Sequence, residues 1–187
     1  MIILASQSPR RQMLMKQDIT DDFKVVVSDV DEHVDPSLSP LEAVTLIAKR
    51  KGDKIHQEYP HDVVISADTI VVIDNMIIGK PKDKEDAKRI LKLLSNREHE
   101  VLTAYCIYKD GRFYENYASS FVLFNDLSEE LIDAYIASGS PMDKAGAYGM
   151  QDNKQYPIVK SYKGSYKNII GFPSDEILEE LKREKLI

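Results

Sequence analysis

Met1-Ile2-Ile3-Leu4-Ala5-Ser6-Gln7-Ser8-Pro9-Arg10-Arg11 hands a short apolar strand directly to a helix. Ile2–Ala5 has the character of a buried strand. Ser8 reads as an N-cap, and Pro9 stands at the first helical position, where its fixed φ and missing N–H do no harm. The helix is expected to run from Pro9 to about Lys16. Its first turn carries Arg10 and Arg11, cations that oppose the helix dipole at a cost of roughly 0.3–1 kcal/mol each. That placement makes sense where a polyanion docks: helical N–H groups, Ser6, Ser8, Arg10 and Arg11 together would form a phosphate-binding corner. Taken alone, the same segment also reads as a capped helix with solvated arginines.

Working outward, strand-like and helix-like segments keep alternating, which predicts an α/β fold: a mixed central sheet flanked by helices. Phe23–Val27 reads as the next strand. Ser39-Pro40-Leu41-Glu42 is a capping box with proline at the first helical position, opening a helix to about Gln57 that buries Val44, Ile47, Ala48 and Ile55. Val63–Ile73 follows as an apolar strand or strand pair, with Asp74-Asn75 turning into Met76–Ile78. Ala87, Ile90, Leu91 and Leu94 make an i, i+3, i+4, i+7 stripe behind the cap Asp83. Asp110-Gly111 is a strong hairpin signal between Val101–Lys109 and Arg112–Phe124. Ser128 caps a helix to about Ser138, and a last helix follows Pro173, burying Ile177, Leu178 and Leu181. Ile169–Ile170 reads as a strand after the turn Lys163–Asn168. No linker or repeat divides the chain, so residues 1–187 are expected to form one domain.

Composition sets bounds. Hydrophobic residues make up 43% and charged residues 30%, as in a soluble globular chain. The net charge of −6 argues against broad nucleic-acid binding, which needs a basic face. Cys106 is the single cysteine, expected as a buried thiol in a reducing compartment. No apolar run is long enough for a membrane helix, and the N-terminus lacks a secretory pattern, so the expected location is the cytoplasm, away from membranes.

Asp68 is the chemical anomaly, set in the middle of Val63–Ile73. A carboxylate there must be paired, hold a metal or serve catalysis, because burying it alone costs several kcal/mol. Ser66 and Thr69 flank it, and Asp31-Glu32 follows another apolar strand; two such acids could hold a hard divalent cation. Lys80, in Gly79-Lys80-Pro81, and Lys49, beside the apolar stripe of its helix, could complete an anion site. Singly, each also reads as an exposed or snorkelling lysine. In Asp143–Gln151, glycines would allow close backbone approach, Tyr148 could pack on a base, and Gln151 could pair with a base edge. His99 reads as a surface residue at a strand start. Walker, Rossmann and zincin motifs are absent.

In this order the blocks resemble the Maf family of nucleotide pyrophosphatases over essentially the whole chain. Ser6–Arg11 is similar to its S-x-S-P-R-R signature and Ala67-Asp68-Thr69 to its A-D-T block. Gly79-Lys80-Pro81, Ser95 to Thr103, Asp143 to Gln151, and Gly164-Ser165-Tyr166 with Gly171-Phe172-Pro173 match further blocks. The resemblance implies a fold similar to inosine triphosphate pyrophosphatases, with two lobes around a cleft. It also implies a homodimer, a divalent metal (Mg²⁺ or Mn²⁺), and hydrolysis of nucleoside triphosphates to monophosphate and pyrophosphate in nucleotide house-cleaning. A link to septum formation and division arrest belongs to the family as well. Arg10, Thr69 and Gln151 match the branch acting on dTTP and UTP. Asp152 departs from the usual glycine.

The resemblance makes Asp68 catalytic. It places Ser6, Ser8, Arg10, Arg11, Lys49, Thr69, Lys80 and Gln151 on substrate, with Arg10, Thr69 and Gln151 setting specificity and Glu32 with Asp68 on metal. The rivals are a pyrophosphatase for 7-methyl-GTP, inosine triphosphate or modified nucleotides, and a division-control protein acting by partner binding.

Overall fold

The computed structural model describes residues 1–187. One mixed sheet carries the chain in the order β2-β1-β3-β5-β6-β7, with β4 paired to β3. Its strands are β1 (Ile2–Leu4), β2 (Lys24–Val25), β3 (Val63–Ile73), β4 (Met76–Ile78), β5 (Glu98–Lys109), β6 (Arg112–Phe124) and β7 (Val159–Lys163). The helices are α1 (Pro9–Leu14), α2 (Pro40–Glu58), α3 (Lys84–Leu94), α4 (Glu129–Ala137), α5 (Tyr166–Ile169) and α6 (Ser174–Arg183). β1 is parallel to both β2 and β3, with Leu4 level with Val25 and Ile65. β3 and β4 are antiparallel. The mixed α/β architecture expected from the alternation is therefore present.

The chain divides into two compact units, and the long strands β3, β5 and β6 supply residues to both. The first comprises Met1–Thr69, Thr103–Ala118 and Gly171–Ile187; the second comprises Ile70–Leu102 and Ser119–Ile170. In the first, Ile3, Leu4, Val44, Ala48, Ile55, Ile65 and Phe172 are buried. In the second, the α3 stripe Ala87, Ile90, Leu91 and Leu94 joins Val71, Phe124, Ile132, Tyr135 and Tyr148 in one core cluster.

Local chemistry explains most boundaries. The capping box of α2 forms in full: Ser39 Oγ accepts from the Glu42 N–H at 3.2 Å and Glu42 Oε2 accepts from the Ser39 N–H at 2.8 Å. Asp83 and Ser128 cap α3 and α4 through their side chains. Asp110 (φ 49°) and Gly111 (φ 73°) both take left-handed backbone, as the tight hairpin turn requires. Asp74 and Asn75 do the same.

Three expectations change. The first helix gives way at Met15 to a π-helical turn, Met15–Ile19. The strand expected at Phe23–Val27 shortens to Lys24–Val25. Ile169–Ile170 is no strand: Ser165 Oγ caps the Asn168 N–H at 3.1 Å and the segment turns into the short helix α5. A serine N-cap outranked β-branching there.

Gly52 shows where packing fixes a residue type. A methyl group on it would overlap the Tyr108 ring and lie 2.6 Å from Ser66 Oγ. Gly52→Ala gains about 1 kcal/mol of helix propensity but overpacks at about 1–3 kcal/mol. Thermal unfolding is expected to show a lower Tm than wild type.

Candidate functional site

The first unit gathers its motif blocks on one side chain, Arg11. Its Nε donates to Gly171 O at 2.8 Å, and Nη1 donates to Ala67 O at 2.7 Å and Ser6 Oγ at 3.4 Å. Nη2 donates to Thr69 Oγ1 at 3.1 Å. A guanidinium has five N–H donors, so at most one remains for a ligand. Burial pulls this guanidinium below its ordinary pKa, opposed by the attraction of Asp68. Thr69 Oγ1 also meets Thr103 Oγ1 at 2.9 Å and donates toward Gly171 O at 3.3 Å. The Thr69 hydroxyl, expected at a base edge, here belongs to the frame around Arg11.

Next to that frame lies an arrangement that the sequence reading did not anticipate. Lys51 Nζ sits 2.7 Å from Asp68 Oδ1 and 2.9 Å from Glu32 Oε1. Asp68 and Lys51 are mostly buried, while Glu32 is open to solvent. Burial makes the Lys51–Asp68 pair the more substantial of the two, because exposed ion pairs are worth little. The loop carrying Glu32 is strapped to α2: Arg50 Nη1 donates to Asp31 O and His33 O, and Lys54 Nζ donates to Asp29 O.

Lys49, expected at the site, instead places Nζ 5.0 Å over the Phe113 ring. A signal for Lys51 was present. Val44, Ala48, Lys51 and Ile55 share one helix face, so Lys51 is the charged residue within an apolar stripe.

Ser6 is buried; its Oγ accepts the Ser8 N–H at 3.2 Å, while Ser8 makes no side-chain cap. Arg10 lies half-buried in the first turn of α1, close enough to repel Arg11. Asp68 and Glu32 are the residues able to hold a divalent ion. Their oxygens already converge on one cationic nitrogen, and two carboxylates with phosphate and water oxygens suit a hard cation. The two carboxylates are a partial donor set: no group of three or more acids, histidines or cysteines gathers there, so phosphate and water oxygens would have to complete the coordination of an ion.

The second unit joins two further blocks. The Gly146 N–H donates to Gly79 O at 3.1 Å, tying Gly79-Lys80-Pro81 to Asp143–Gln151. Gly146 has φ 72°, and a Cβ there would lie 2.8 Å from Val71 Cγ2, so only glycine fits. Lys80 and Gln151 are both exposed.

Tyr148, which the sequence offered as a base platform, is buried, with its hydroxyl 2.7 Å from His99 Nε2. His99 is not on the surface but 2% exposed, edge-on to Phe124 at 5.0 Å. The reading of His99 as a surface residue fails because the strand's alternation turns it inward between charged neighbours that stay toward solvent.

The Maf-like protein family matches residues 1–184. The chain belongs to the Maf family. It is 43% identical over 182 residues, 97% of each chain, to a Geobacillus protein named dTTP/UTP pyrophosphatase. A Thermococcus gammatolerans protein of the same name is 44% identical over 188 residues, covering 100% of this chain and 99% of that protein. A HAM1 protein structure from Coxiella burnetii superposes with a TM-score of 0.55 at 14% identity, over 97% of this chain and 98% of that one. That likeness concerns the fold. Five of the Maf blocks are thus tied in two sets: Ser6–Arg11, Ala67–Thr69 and Gly171 meet at Arg11, and Gly79–Pro81 joins Asp143–Gln151 at Gly79–Gly146.

Burial lowers the His99 pKa from 6.5 to about 4, so the folded imidazole stays neutral where the unfolded one takes a proton. Stability is therefore expected to fall as pH drops from 6.5 toward 4, by up to about 3 kcal/mol from this residue. Urea unfolding at pH 7 and pH 4.5 checks this. The loss should be smaller in His99→Phe than in wild type.

Proposed function

We propose that the protein is a nucleoside triphosphate pyrophosphatase that hydrolyses dTTP and UTP to the monophosphate and pyrophosphate. The observation carrying this reading is Asp68: a strand carboxylate held by Lys51, beside a frame of Maf blocks, in a chain over 40% identical to proteins named for that activity.

In this reading Asp68 accepts a hydrogen bond from a water and takes its proton as the water oxygen attacks the α-phosphorus. The α–β phosphoanhydride bond breaks, and pyrophosphate leaves with the electron pair. Lys51 holds the Asp68 carboxylate in place. Arg10 and Lys80 take phosphate charge, Ser6 and Ser8 supply hydroxyls at the start of α1, and Gln151 reads the pyrimidine edge. Arg11 and Thr69 act by holding the Asp68 strand, and Lys49 steers anions from its exposed face. A divalent ion on Glu32 and Asp68, Mg²⁺ or Mn²⁺, would supply charge neutralisation to the triphosphate. Acceleration comes chiefly from positioning and charge stabilisation.

We further propose that the enzyme works in the cytoplasm as a homodimer. Cys106 is the single cysteine and is buried, so the fold uses no intrachain disulfide. No helix is long and apolar enough to cross a membrane. β7 covers only Phe121–Phe124 of the β6 edge, and Phe113 and Tyr117 stand exposed farther along β6. Sedimentation equilibrium is expected to give twice the 21.3 kDa chain mass.

The decisive assay is pyrophosphate release from a nucleotide panel, including 7-methyl-GTP and inosine triphosphate, with metal and with chelator. Release is expected from dTTP and UTP, lost with chelator, and reduced about 10²–10⁴-fold in Asp68→Asn. Purine preference would overturn the substrate assignment. A folded Asp68→Asn with near-wild-type turnover would overturn the mechanism, and a division phenotype surviving that substitution would favour partner binding.

A further inference from the structure

Asp152 follows Gln151 directly, and its carboxylate closes a chain of hydrogen bonds around the loop that presents that glutamine. Oδ2 accepts from the Tyr135 hydroxyl at 2.8 Å and from Ser140 Oγ at 2.7 Å. Tyr135, fully buried on α4, accepts in turn from the Gly149 N–H at 3.0 Å. Ser140 Oγ accepts from Lys144 Nζ at 3.1 Å, and the same ammonium donates to Ser140 O at 2.6 Å. Every hydroxyl thus donates once and accepts once, a consistent direction from Gly149 and Lys144 inward to one oxygen.

The glutamine side chain rests on this chain. A Cβ on Gly149 would lie 2.8 Å from Lys144 Cε and 3.1 Å from Gln151 Oε1, so the lysine stem and the carboxamide oxygen both lie against the bare glycine. The Asp152 N–H also donates to Gly149 O at 3.1 Å. Gln151 itself is exposed. An exposed carboxamide loses rotamer entropy when it binds, so holding its backbone beforehand lowers that cost.

We infer that Asp152 is a positioning residue that holds the Gln151 loop through Tyr135 and Ser140 and thereby sets pyrimidine selectivity. The inference rests on the reading in which Gln151 meets the base. Where a glycine would leave the loop free to move, this chain anchors it to a buried tyrosine. The residue acts on recognition, not on bond breaking.

Steady-state pyrophosphate release with dTTP and dCTP tests it, on wild type, Asp152→Ala and Asp152→Asn. Asp152→Ala is expected to raise the dTTP KM about tenfold, with kcat within about threefold, and to narrow the dTTP-over-dCTP ratio of kcat/KM. Asp152→Asn should restore wild-type KM and ratio within about twofold, because one carboxamide oxygen can accept from both hydroxyls. An unchanged KM and ratio in Asp152→Ala would overturn the inference, as would a fall in kcat and Tm shared by both variants. Should Asp152→Ala not fold, Ser140→Ala and Tyr135→Phe each remove one donor and are expected to shift the same ratio part of the way. Amide hydrogen exchange reads the loop without turnover: the Gly149 amide should lose protection in Asp152→Ala and keep it in Asp152→Asn. A wild type silent on dTTP defeats the reaction assigned above, and the exchange result then stands separately for or against the anchoring.

Discussion

The first unit depends on the need of one guanidinium, largely withdrawn from water, to find acceptors. Burying an unpaired cation is prohibitive, so Arg11 has to be met by oxygens, and the chain meets it with backbone at Ala67 and Gly171. Backbone acceptors cannot rotate away as a side chain can. The residue before Asp68 and the loop before α6 are thereby pinned to the first turn of α1. Gly171 takes φ 108°, a conformation closed to other residues, and its carbonyl accepts from Nε there. An Arg→Lys exchange at position 11 would keep the charge and lose the fork that joins these segments.

With the strand fixed, the charge arrangement at Asp68 follows. Its carboxylate is mostly buried, so it needs a partner, and α2 turns Lys51 inward to supply one. Lys49 is only two residues away, yet two residues are about 200° of helix rotation, which puts its ammonium over Phe113 instead. The acidic chain, at −6 overall, therefore keeps a cationic strip along α2 from Arg50 to Lys54 that fastens the Asp31–Glu32 loop. Net charge described neither the strip nor the acids facing it.

Much of the fold was legible because its signals are local. The capping box at Ser39–Glu42, the α3 stripe and both left-handed turns depend only on neighbours within four residues, and all formed as read. The fold class and the Maf blocks were equally legible. What escaped depended on distant partners. Nothing near His99 says that Tyr148 and Phe124 will enclose it. Thr69 and Arg11 invite a ligand in the sequence because their contacts at Thr103 and Gly171 lie far along the chain. Lys51 stands within the α2 stripe and Lys49 on its flank, and periodicity alone does not say which of the two meets a carboxylate supplied by a distant strand.

The two sets of blocks are held by different physics, and that difference bears on how each tolerates change. Around Arg11 a charged group faces fixed carbonyls, so removing the fork leaves several buried acceptors unpaired at once, and substitutions there should couple strongly. Around Asp152 the links are two separate hydroxyls that donate once and accept once, one on a buried tyrosine and one on a half-buried serine, so removing either leaves the other bond to the carboxylate. On the proposed mechanism the chemistry sits on the first kind of support, since an attacked phosphorus would tolerate little displacement of Asp68. Base selection, which must differ between enzymes of one reaction, is more easily adjusted on the second. If Gln151 reads the base as proposed, Asp152 beside it is such an adjustment: one carboxylate changes how firmly that glutamine is held and makes no contact with Asp68.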